Sequence, residues 1–171
     1  MKISILSRAA ADLFPGYFAL VMATGIVSKA AYFLGMKRFA WFLLLFNAVA
    51  FVSLWGLLLL RLVKFFPKIK ADLADHVRGP GFFTIAAGTC VFGSQLIVVA
   101  GRFDLAFALW VLGIGLWAII MYTFFTLITI RENKPPLESG LNGVWLTATV
   151  ATQTICVLGT MLVGQFEAYR E

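Results

Sequence analysis

Charge is what this sequence has least of. Charged side chains make up 13% of its 171 residues, the hydrophobic set makes up 61%, and the mean hydropathy is +0.94. That balance excludes a soluble domain of this size, which must cover its surface mostly with polar groups. Acids are scarcer than bases, with 8 Asp and Glu against 14 Lys and Arg, for a formal net charge of +6. The basic residues lie between apolar runs, a pattern that fits a membrane surface and not nucleic acid. A single histidine and two cysteines, Cys90 and Cys156, supply no zinc-ligand spacing and no CxxC pair. Both cysteines read as reduced, buried, small side chains. Gly79-Pro80-Gly81 lacks the Lys and the spacing of a phosphate loop. No nucleophile–base–acid constellation is present, so neither an enzyme nor a metal or cofactor site is expected.

Long apolar runs are abundant. Crossing about 30 Å of hydrocarbon takes roughly 20 helical residues. Five runs reach that length: Leu13–Leu34, Phe39–Val63, Pro80–Ala100, Leu105–Ile130 and Leu141–Gly164. None alternates apolar with polar as a membrane β-strand would. The expected fold is therefore all-α and integral to the membrane. The first run is too long for the apolar core of a leader and ends in no A-x-A site, so it reads as a retained span. Connections alternate between short (Gly35–Arg38, Gly101–Asp104) and longer, more charged (Lys64–Gly79, Arg131–Gly140). With the N-terminus in the cytoplasm, Lys2, Arg8, Arg61, Lys64, Lys68, Lys70, Arg78, Arg131 and Lys134 lie inside, and Lys37, Arg38, Arg102 and Arg170 outside. This predicts a plasma-membrane domain over 1–171 with hairpins at 13–63 and 80–130 and an unpaired helix at 141–164. Two hairpins and a half suggest the N-terminal portion of a larger bundle.

The odd spans also repeat one another. The first opens Pro15-Gly16-Tyr17-Phe18, the third Pro80-Gly81-Phe82-Phe83 and the fifth, more weakly, Asn142-Gly143-Val144-Trp145. Proline suits a helix start, where its missing N–H would be unsatisfied anyway. The even spans are bulky and greasy, whereas the odd ones carry small and hydroxyl residues. Odd helices are therefore expected inside and even helices outside. Candidate pore-lining residues are Thr24, Gly25, Ser28, Thr84, Gly88, Thr89, Gln95, Thr149, Thr152 and Gln153. The plainer reading of each hydroxyl is a bond to a carbonyl one turn back, and of each glycine, close helix packing. No Asp or Glu lies inside the five runs, which disfavours a cation or proton pathway and favours anions. Lys29 is a charge inside the first run. It can snorkel to the interface or draw anions to a pore mouth. His76 reads as a solvated interfacial side chain.

The segment FPGYFALVMATGIVS (14–28), and within it Met22, Thr24, Gly25, Ile26 and Ser28, resembles the opening of tellurite-resistance/dicarboxylate transporter family proteins. That family shares its fold with plant slow-type anion channels. HVRGPGFFTIAAGTCVFGSQ (76–95) and GLNGVWLTATVATQTICVLG (140–159) are similar to the third and fifth helices of a bacterial branch. The resemblance implies ten helices in five tandem hairpins and a pore of odd helices. It also implies passage of chloride, nitrate, malate or sulfite, often in a homotrimer. The family's occluding phenylalanine belongs to a ninth helix, so no residue here inherits that role, and Lys29 inherits none either. Two expectations follow: an anion channel or dicarboxylate permease, or a truncated relic or assembly partner without transport.

Overall fold

The computed structural model describes residues 5–131, 136 and 142–168; Lys2, Lys134, Leu141 and Arg170, used in the topology reading, lie outside them. Among the described residues the regular structure is all helical. A short helix α1 (Ile5–Ala11) precedes a 3-10 turn (Pro15–Phe18) that runs into α2 (Ala19–Phe33). Next come α3 (Lys37–Lys64) and α4 (Phe66–Leu73). A second 3-10 turn (Gly79–Phe82) leads into α5 (Phe83–Ala100), followed by α6 (Phe103–Ile130). A third such turn (Gly143–Leu146) opens α7 (Thr147–Ala168). Five of these units are long and apolar enough to cross a membrane: Pro15–Phe33, Lys37–Lys64, Gly79–Ala100, Phe103–Ile130 and Gly143–Gly164. Hydrocarbon offers the backbone no partners, so each span satisfies its own N–H and C=O groups as a helix.

The two short turns between paired spans are alike. Gly35 (φ 82°) and Gly101 (φ 64°) adopt the left-handed conformation that costs glycine nothing. The next N–H then folds back onto the helix just ended: Met36 N to Ala31 O at 2.9 Å, and Arg102 N to Leu96 O at 3.2 Å. Two antiparallel hairpins result, α2–α3 and α5–α6.

The odd spans share their entry. Each begins with a 3-10 turn, at residues 15, 79 and 143. The turns meet backbone to backbone: a Cβ on Gly81 would lie 3.1 Å from Gly16 N. A threonine then ties each odd span to the one before it. Thr84 Oγ1 lies 3.0 Å from Pro15 O and 2.7 Å from Gly81 O. Thr147 Oγ1 lies 2.8 Å from Pro80 O and 2.6 Å from Val144 O. The repeat that the Pro-Gly signature suggested is thus carried by hydrogen bonds as well as by shape.

α5 is the hub. Its central window is 89% buried, against 17–28% for the other four spans, and it packs on α2, α6 and α7 and more lightly on α3. The inside-odd, outside-even expectation therefore describes α5, while α2 and α7 are as open as the even helices. Helix packing in lipid rests on close van der Waals contact, which α5 achieves through residues such as Ala86, Ala87, Gly88 and Gly93. Tryptophans of α6 hold α7: Trp110 Nε1 donates to Ile155 O at 3.0 Å and Trp117 Nε1 to Thr152 Oγ1 at 2.9 Å. Cys90 is buried against α6, but Cys156 is exposed, contrary to the sequence reading of both as buried.

At the end where the 3-10 turns lie, the charges form a network and not merely a solvated belt. Arg61 is only 2% exposed. Its guanidinium donates to Leu13 O at 2.7 Å and pairs with Asp72 at 2.6 Å. Asp72 also receives Arg78 at 3.2 Å, and Lys68 reaches Asp12 at 3.4 Å. His76 is half-buried against Trp145, with ring centroids 6.3 Å apart, so it is not the solvated side chain expected.

Candidate functional site

The polar side chains fall into two groups. One is interior and spent. Ser28, on the buried face of α2, donates to Ala40 O of α3 at 2.8 Å. Thr89 donates to Ile85 O at 2.7 Å within α5, and Thr84 makes the inter-repeat tie. Gly25, Gly88 and Gln95 are buried with them. Gly25 lets α5 approach: a Cβ there would sit 2.8 Å from Val91 Cγ1 and 3.4 Å from Gln95 Oε1. Residues 79–95 are buried throughout, so Thr84, Gly88, Thr89 and Gln95 present no open face. Their hydroxyl and small-residue character serves packing here.

The other group faces outward. Thr24 is half-buried, and Thr149 and Gln153 are exposed on α7. Among the described residues none of the three has a hydrogen-bond partner, so their polar groups are unspent. Thr152 differs: it donates to Ala148 O at 3.0 Å and accepts from Trp117. The candidates therefore do not converge on one lined passage; they split between the α5 interior and the open faces of α2 and α7.

At the heart of the interior lies a residue that sequence reasoning missed. Asn47, 0% exposed on α3, donates through Nδ2 to Gln95 Oε1 at 2.7 Å and to Val21 O at 3.1 Å. One amide in an otherwise greasy helix was the available signal, because a polar group at that depth is costly without a purpose. Asn47 Oδ1 and Gln95 Nε2 have no partner among the described residues. Asn47→Leu is expected to cost about 1–2 kcal/mol, since it leaves the Gln95 carbonyl unpaired in hydrocarbon. Adding Gln95→Leu should restore part of that loss. Thermal midpoints in detergent would check both, and a double variant that loses the full sum would count against a coupled pair.

Lys29 sits beside this pair in sequence register. Its Nζ crosses from α2 to α5 and donates to Ser94 Oγ at 2.7 Å, and Ser94 Oγ in turn donates to Val91 O at 2.8 Å. The side chain bridges two helices. Among the described residues Lys29 has no carboxylate partner. When protonated, an ammonium held between spans without a counter-ion attracts anions. Among the described residues, no cluster of His, Cys, Asp and Glu could hold a metal ion.

Parallel hairpin repeats and five spanning helices define a multi-pass α-helical membrane protein. The family comparison agrees. The chain belongs to the voltage-dependent anion channel family, whose model matches residues 12–170. That stretch takes in all five spans. No curated protein and no solved structure gives a match.

Proposed function

We propose that this chain contributes to a channel or permease for small anions of the chloride, nitrate, malate or sulfite class. Family membership across all five spans carries the reading. Lys29, bridging α2 and α5 without a carboxylate, supports it and is the residue to which we assign anion attraction. The unspent polar groups of Thr24, Thr149 and Gln153 support a path along the faces of α2 and α7. A cytoplasmic N-terminus, plasma-membrane residence and assembly as a homotrimer complete the proposal; the excess of basic residues at the α4 end supports that orientation.

The test is flux from liposomes carrying the complete gene product, using chloride, nitrate, malate and sulfite. Anion-selective flux is expected, and robust cation flux without anion flux would sink the proposal. No flux from any of the anions would favour an assembly partner or inactive relic. Lys29→Gln is expected to lower anion flux about tenfold by removing the local positive field, with Lys29→Arg largely retaining it. Equal flux from Lys29→Gln and the parent would remove Lys29 from the path.

A further inference from the structure

A groove of about 450 Å³ opens between α3 and α6, roofed by α4 and floored by α5. Trp55, Leu58, Ile69, Phe82 and Ile120 supply its apolar wall, and Lys70 is the one charged residue that lines it. The groove opens on the outside of these helices, where Leu62, Phe66 and Ile119 are 44%, 56% and 67% exposed. α4 lies across its mouth as an amphipathic helix, with Ile69 turned inward, Lys68 outward and Lys70 exposed at the groove's edge.

The charges around the mouth are unequal in their commitments. Asp72 is taken by Arg61 and Arg78, and Asp12 by Lys68. Lys70 has no ion-pair partner among the described residues. A long apolar slot at membrane depth therefore ends at an uncommitted ammonium at interface height.

We propose that this groove binds an anionic phospholipid from the leaflet on the α4 side, with one acyl chain between α3 and α6 and the headgroup phosphate on Lys70. Hydrocarbon fills the slot, and the unpaired cation selects the charge of the head. This is independent of what the protein transports.

Native mass spectrometry of the purified chain, titrated with phosphatidylglycerol or phosphatidylcholine, tests it. One lipid should be retained with about a fivefold preference for phosphatidylglycerol, the scale set by one lysine near an anionic headgroup. Lys70→Glu should abolish the preference while leaving neutral lipid bound, and Lys70→Arg should keep it. Ile119→Trp, at an exposed position on the groove wall, should displace both lipids. An unchanged preference in Lys70→Glu, or unchanged retention in Ile119→Trp, would overturn the assignment. So would a contact between copies in place of bound lipid, lost on Ile119→Trp, which would give the groove to a second copy. The two Lys70 variants alter an exposed side chain, so they remain informative if the tryptophan variant does not fold.

Discussion

Asp72→Ala is expected to destabilise the protein by about 3 kcal/mol, one of the largest single-residue effects in the molecule. The reason is the residue left behind. Arg61 is almost fully enclosed, and without Asp72 its guanidinium keeps only the Leu13 carbonyl for a buried positive charge. Arg78 also loses its carboxylate, but it is half-exposed, stacks 5.6 Å from the Phe14 ring and can turn to water. The cost should therefore trace to Arg61. The double variant Asp72→Ala with Arg61→Met should recover most of it, because removing a buried pair together is far milder than breaking it. Thermal and denaturant midpoints in one detergent would give the full cycle. Equal midpoints for Asp72→Ala and the parent would mean that water reaches Arg61 and would overturn this account.

Gly25→Leu comes second, with an expected loss of about 1–3 kcal/mol from overpacking. Even a Cβ at this position would press on Val91 Cγ1, Asn47 Nδ2 and Gln95 Oε1, the first of them only 2.8 Å away. A leucine must push α2 off α5. That separation would also part Lys29 from Ser94, one turn farther along the same interface, so anion flux should fall together with stability. Val91→Ala supplies the missing room and should restore both in part. Rescue of the midpoint without rescue of flux would separate the packing role of this seam from its proposed role in transport.

Hydrophobicity alone made the five spans legible, and their observed limits differ from the apolar runs by only a few residues. The hairpin turns were legible too, because Gly35 and Gly101 punctuate runs that are otherwise continuous. What stayed hidden depends on rotation of one helix against another. Thr84 and Thr149 look alike as letters, yet one is enclosed and bonded and the other is open. Arg61 reads as a flanking base until α4 folds over it. Lys29 finds Ser94 across 65 residues of chain, a pairing set by the offset between repeats and by no local pattern. The wholesale burial of α5 belongs to the same class, since it reflects how many neighbours surround a helix and not how greasy that helix is.

The threonine ties also give the bundle a direction in time. In each tie the acceptor, Pro15 or Pro80, belongs to the earlier repeat, and the donor, Thr84 or Thr147, to the later one. A ribosome therefore delivers the carbonyl first. Each hairpin, once seated in the bilayer, presents a finished docking point to the next one leaving the translocation machinery, and no later segment has to displace an earlier contact. Construction can proceed like a course of bricks, laid in the order in which they arrive.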